Sequence, residues 1–238
     1  MLSMAPPRRP RSSSSCSMSW WALAVEGNAK PTIPWIVPFP DELGRGLAVV
    51  PCNPGWPRES SALALRIEAA LGSVAVRIDH IGSTAVPGLA AKDCVDLQVR
   101  VDALDEDLIV RLFEGIGFRV RPEPWNRVEV TAGRDWPKLV FAPPVGERGS
   151  NVHVREVTSD AAGRNLLFRD FLRADEAARN AWGQSVQRLA LVVSDIFEYG
   201  QAKAAPTDIL MIAAETWRPV RGGRKLSMTY RGSSPEPA

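Results

Sequence analysis

The segment Cys94 to Val101 constrains this chain most. Its residues alternate, so Asp96, Gln98 and Arg100 fall on one side of an extended strand and Leu97, Val99 and Val101 on the other. One face is apolar and must be covered; the other carries a carboxylate, an amide and a guanidinium. Upstream lies His80-Ile81-Gly82-Ser83-Thr84-Ala85-Val86-Pro87-Gly88-Leu89-Ala90-Ala91-Lys92. A strand ending in Gly82-Ser83 lets the backbone come close to a ligand, because Gly82 has no Cβ. The Ser83 and Thr84 hydroxyls and nearby N–H groups suit phosphate oxygens, and Lys92 adds positive charge. The same residues also suit a plain turn in which Ser and Thr cap backbone groups.

Around this block, periodicity outlines one domain. Residues 1–40 are rich in Pro, Ser and Arg and show no period of 2 or 3.6, which predicts a disordered extension or a start of translation further in. Residues 219–238 read as a disordered tail. Between them, residues 41–218 form a stretch of about 180 residues, a size that suits a single domain. Asn53-Pro54-Gly55-Trp56-Pro57 predicts a turn into a helix that Gly72 stops, with Leu63, Ile67, Ala70 and Leu71 at helical spacing. Strands are predicted over 74–81 and 94–101, a helix over 105–115, and shorter strands over 118–120, 127–131, 138–141 and 151–157. From 161 to 217 the pattern is helical, broken near Ala174-Asp175, where Asp175 suits an N-cap, and near Pro206. The predicted class is α+β: one mixed β-sheet with flanking helices and a helical C-terminal third.

Charge and cysteine usage narrow the function classes. The net charge of +2 divides into +3 on residues 1–40, +3 on 219–238 and −4 between them, so the basic character sits on the tails and no broad nucleic-acid footprint is expected. Cys16, Cys52 and Cys94 form no CxxC pair, and an odd number in a chain this long argues against a disulfide framework. The apolar run from Trp20 to Val25 falls short of the roughly 18 residues of a membrane helix. It is also too short for the core of an export signal. A cytoplasmic protein with no membrane span is expected.

A Gly-Ser turn followed at short range by an acid on the next strand resembles the signature of the nucleotidyltransferase superfamily, in which a second acid stands two positions later. That resemblance implies Mg²⁺ or Mn²⁺ on paired carboxylates and in-line attack on an α-phosphate. Here the second position is Gln98, so the resemblance implies weak metal binding, through Asp96 alone, and a weak or inactive nucleotidyltransferase. The block His80 to Val99 more narrowly resembles the GrpB family. The likeness continues through Asn151-Val152-His153-Val154-Arg155, Leu167 to Asp175, and Tyr199 with Lys203. It is especially similar to the version fused behind dephospho-CoA kinase in actinobacteria, although no GxxxxGK[ST] occurs in the chain, so a free-standing domain is expected.

The strand 151–157 turns Asn151, His153 and Arg155 to one face. The GrpB resemblance places His153 where nucleotidyltransferases carry a third acid, and implies Asp96 and His153 as catalytic residues. Gly82, Ser83, Thr84, Lys92, Gln98, Arg148, Asn151, Arg155, Tyr199 and Lys203 are then the expected ligand-binding set, for a nucleotide or other phosphorylated small molecule. Arg169, Asp170 and Arg173 read first as an ion-pair face on one helix. Near Trp182 the family usually has Tyr and then Lys four positions on; Val186 stands at that second position here. The alternative function is a non-catalytic module that supports a dephospho-CoA kinase in trans, in coenzyme A biosynthesis.

Overall fold

The computed structural model describes residues 39–43 and 47–217. The expectations for residues 1–38 and 218–238 lie outside this range. In chain order the elements are the helix Pro40–Leu43 (α1), the strand Val49–Val50 (β1), the helix Trp56–Leu71 (α2), Arg77–Ile81 (β2), Ala91–Lys92 (β3), Val95–Val101 (β4), the helix Glu106–Glu114 (α3) and Arg119–Val120 (β5). Next come Val128–Thr131 (β6), Arg134–Pro137 (β7), Leu139–Ala142 (β8) and Ser150–Glu156 (β9), then the helices Asp160–Ala174 (α4), Glu176–Val192 (α5), Ile196–Ala202 (α6) and Ala204–Trp217 (α7).

Five strands make the central sheet in the order β2-β4-β9-β8-β5, with β4 and β9 parallel and every other neighbouring pair antiparallel. The mixed sheet with flanking helices and a helical last third is the architecture the periodicity predicts. Alternation along β4 and β9 sends Leu97, Val99, Val152 and Val154 to one face, where they pack with Leu139, Phe141, Ile67, Ile109 and Phe113. Phe113 from α3 stacks on Phe141 at 4.0 Å. Each such side chain is fully buried and stabilises the fold by about 2–3 kcal/mol. The helices lie over this face because it buries their apolar stripes, and local chemistry sets where they begin: Pro57 lies in the first turn of α2, and Asp105 accepts from the Leu108 N–H at 3.1 Å at the start of α3.

The other face carries Asp96 and Gln98 beside Asn151, His153 and Arg155. The hairpin β6–β7 and the C-terminal helices cover it. Two smaller apolar clusters hold those helices: Val86 and Leu89 with Leu172, Trp182, Val186 and Tyr199, and Leu167 and Phe171 with Met211 and Ala214. The first of them anchors the chain just beyond the Gly82-Ser83 turn.

Several boundaries differ from expectation for local reasons. Residues 72–74 wind as a 3-10 turn, so β2 starts at Arg77. The helical third breaks at Asp175, whose carboxylate caps α5 through the Ala178 N–H at 2.8 Å, then again between Val192 and Ile196 and between α6 and α7. The last of these is the break expected near Pro206: the proline sits in the first turn of α7 and has no N–H to give the Ala202 carbonyl, so the ladder is interrupted just before it. Phe39, assigned by composition to the extension, lies 4.2 Å from the Arg119 guanidinium.

Candidate functional site

A cleft of about 800 Å³ opens between the polar face of the sheet, the hairpin β6–β7 and the C-terminal helices. Gly82, Ser83, Thr84, Lys92, Asp96, Asn151, His153, Tyr199 and Lys203 all line it, so most of the expected residues meet in one place. Gly82 is needed at the first step. Its φ is +71°, and a Cβ there would sit 2.7 Å from Asp96 Oδ2. The turn therefore lies directly against the carboxylate.

Neighbours hold that turn rigidly. The Ser83 hydroxyl accepts from Trp182 Nε1–H at 3.3 Å. Thr84 Oγ1 donates to the Cys94 carbonyl at 3.4 Å and lies 3.0 Å from His80 Nε2, which must then be the donor of that pair. Burial, reinforced by Arg173 and Arg169, lowers the His80 pKa to about 4, so this histidine is a neutral strut. From α4, Arg173 donates twice to the Ala85 carbonyl, at 2.7 and 2.9 Å, and Arg169 donates to the His80 carbonyl at 3.1 Å. Their ion pairs with Asp170 are present as the sequence predicts, but the carbonyl bonds are what clamp helix to turn.

Asp96 is held from the neighbouring strand. Asn151 Nδ2 donates to its Oδ1 at 3.0 Å, and Asn151 Oδ1 in turn accepts from Arg121, which forks onto Glu42. His153 Nε2 lies 3.9 Å from the same Asp96 oxygen. Burial works to raise the Asp96 pKa, but His153, Asn151 and Lys92 hold it below the ordinary carboxylate range. Burial depresses the His153 pKa against the pull of Asp96, so the imidazole is neutral near pH 7. Cys94, also at the wall, is an inert thiol with its pKa pushed up to about 11 by burial and by Asp96.

Three expected residues lie elsewhere. Gln98 is fully buried: its Nε2 donates to the Ala162 carbonyl at 3.2 Å and its Oε1 accepts from Arg155 at 3.3 Å. Arg155 is only 3% exposed and pairs with Glu129 from the hairpin. Arg148 lies away from the cleft, pairing with Glu59 and Asp93. Alternation reports which face a side chain takes and says nothing about how deep it lies once another element lands on it.

The donor set does not fit the divalent metal that the nucleotidyltransferase resemblance implies. Asp96 is a single carboxylate, and Gln98 is sealed under α4. Glu129 does reach the cleft, but Arg155 and Lys138 already neutralise it and pull its pKa down to about 2 against the effect of burial. Among the described residues, no three His, Cys, Asp or Glu side chains are grouped so as to hold a metal ion. Lys92 and Lys203 face the same space and repel a cation.

Sequence reasoning missed Glu129, Trp182 as a hydrogen-bond donor, and the Glu42–Arg121–Asn151 chain. Glu129 was legible in part, as a lone acid between valines on a strand. The usual rule would point Val128 and Val130 inward, yet they are 42% and 63% exposed because Glu129 takes the inward position to meet Arg155. Val186, at the position where a lysine was expected, is buried in the apolar cluster around Leu89.

The profile of the GrpB protein family matches residues 46–211. A UPF0157 protein of Halalkalibacterium halodurans is 34% identical over 141 residues, which cover 58% of this chain and 66% of that protein. A dephospho-CoA kinase of Mycolicibacterium paratuberculosis is 34% identical over 167 residues, covering 60% of this chain but 41% of the kinase. The chain thus spans less than two thirds of either relative. The crystal structure of conserved protein GrpB from Enterococcus faecalis superposes with a TM-score of 0.61 at 26% identity, over 71% of this chain and 99% of that one. Among the described residues no helix is long and apolar enough to cross a membrane. The matched span takes in the whole sheet and the walls of the cleft, and by it this chain belongs to the GrpB family.

Proposed function

We propose that this GrpB domain binds a nucleotide or another phosphorylated small molecule in the cleft between the Gly82-Ser83 turn, Asp96 and His153, with nucleotidyl transfer slow or absent. The observation that carries this reading is convergence: the turn, Lys92 of β3, Asp96 of β4, His153 of β9 and Lys203 between α6 and α7 meet around one cavity. A phosphate there has the Ser83 hydroxyl and the Lys92 and Lys203 ammonium groups within the same space. If a hydroxyl attacks the α-phosphate of a nucleoside triphosphate, neutral His153 accepts the hydroxyl proton, Asp96 stabilises the imidazolium, and pyrophosphate leaves. Without paired carboxylates that step has little electrostatic help, which is why turnover is expected to be slow. Calorimetry with ATP, CTP, GTP and dephospho-CoA tests the reading. Binding of none of them overturns it, and an affinity that neither Asp96→Ala nor Lys203→Met alters places the ligand elsewhere.

A second reading follows from the relative named a dephospho-CoA kinase, of which this chain matches a minor part. In that reading the domain supports a separate dephospho-CoA kinase by contact. Co-purification of the two from one cell, with the kinase's yield falling when the domain is removed, is the expected result.

A further inference from the structure

Lys203 carries a charge that no ion pair among the described residues balances. Its ammonium group is largely buried and lines the cleft, and among the described residues it makes no ion pair and no side-chain hydrogen bond. What compensates it is indirect: Asp96 attracts it through space, and the nitrogen lies 5.1 Å from the Tyr199 ring centroid and 5.8 Å from that of Trp182. Ring faces offset only part of the cost of taking an ammonium out of water. Lys92, across the same cavity, also has no carboxylate within ion-pair distance among the described residues.

The other charges at the cleft are already matched. Arg164 pairs with Asp208, and Glu129 with Arg155 and Lys138. That leaves Lys92 and Lys203 against Asp96, an excess of positive charge facing a cavity that has no metal donor set. A divalent cation entering here meets two ammonium groups and one carboxylate. An anion meets the reverse.

We infer that the cleft takes a phosphate group directly, as an anion without a divalent cation, seated between the ammonium groups of Lys203 and Lys92. The inference rests on the phosphorylated-ligand reading above and deepens it, because it assigns to protein cations the role that metal ions fill where carboxylates are paired. Asp96 then opposes the bound phosphate and also faces His153, which gains a proton when the anion arrives.

The test is calorimetry on the full chain with AMP and with ATP, first in EDTA and then with excess Mg²⁺. AMP affinity is expected to agree within about two-fold between the two conditions. Lys203→Met should weaken it about ten-fold or more, and Asp96→Asn should tighten it about three-fold, by removing a negative charge beside the phosphate. Circular dichroism melting checks that the variants fold, and Lys92→Gln at the rim replaces Lys203→Met if that variant does not. Gln98→Glu should leave Mn²⁺ uptake, read from its EPR spectrum, at the wild-type level, because position 98 is sealed from the cleft. Binding of AMP or ATP that appears only with Mg²⁺, or that Asp96→Asn abolishes, overturns the inference while the phosphorylated-ligand reading survives. No binding of AMP, ATP or inorganic phosphate in either condition overturns both.

Discussion

Along the parallel pair β4–β9 the polar face of the sheet has an open end and a sealed end, a few residues apart. At the open end Asp96 and His153 keep 29% and 20% of their side-chain surface exposed to the cleft. Two residues beyond each, on the same strands and the same face, Gln98 and Arg155 are only 0% and 3% exposed. The residue types barely differ in polarity. What differs is the cover: the start of α4 brings the Ala162 carbonyl onto Gln98, and the hairpin β6–β7 brings Glu129 onto Arg155. Polar groups at the sealed end have consumed one another's hydrogen bonds and are scaffold. Those at the open end retain capacity and are the site.

The largest effect expected from this contrast comes from removing a sealed charge. Arg155→Met takes both guanidinium hydrogen bonds from Glu129, leaving it the longer Lys138 pair, and leaves Gln98 Oε1 without its donor, so chemical denaturation should show a loss of about 3–5 kcal/mol. Asp96→Asn at the open end should change stability by less than about 1 kcal/mol. Equal losses would erase the distinction between the two ends.

The next effect depends on pH. The folded-state pKa of Glu129 is depressed from 4.5 to about 2, so its stabilisation is complete above 4.5 and disappears as pH falls toward 2. Wild type should therefore exceed Glu129→Gln by about 3 kcal/mol near neutrality. The gap should narrow below pH 4.5 and close near 2. A gap independent of pH would mean that the carboxylate's charge is not what binds hairpin to sheet.

A smaller effect sharpens the open end. Gly82→Ala forces a side chain into a left-handed backbone conformation and toward Asp96 Oδ2, and should cost about 1–3 kcal/mol while weakening AMP binding. Gly88→Ala supplies the control, since its φ is also positive but a Cβ there would meet nothing within 4 Å. If the two variants bind AMP alike, close approach of the turn to Asp96 plays no part in the site.

The sequence made the central strands legible because the period-2 pattern in 94–101 and 151–157 is strong and both faces have a consistent environment. It also brought Gly82, Asp96 and His153 together correctly, since each sits on a strand or at a strand end whose register follows from neighbouring apolar residues. Depth was not legible. Whether Gln98 or Asp96 is covered depends on where α4 and the β6–β7 hairpin land, and those placements follow from contacts distant in sequence, such as Gln98 with Ala162 and Arg155 with Glu129. Strand β7 escaped notice because Arg134, Asp135 and Pro137 carry none of the usual strand composition; the positive φ of Ala132 and Gly133 makes the hairpin instead.

The chain has only two histidines, His153 in the cleft wall and His80 on β2 outside the cleft lining, which lets NMR separate ligand contact from support of the turn. His153 faces the cleft, and a bound phosphate favours its imidazolium form, so titration with AMP should shift its resonances and raise its pKa from the depressed free value. His80 is a neutral strut behind Thr84, with its pKa near 4, and its resonances should stay within a small fraction of that shift. A stationary His153 with AMP bound, or a His80 that moves as far as His153, would contradict the account.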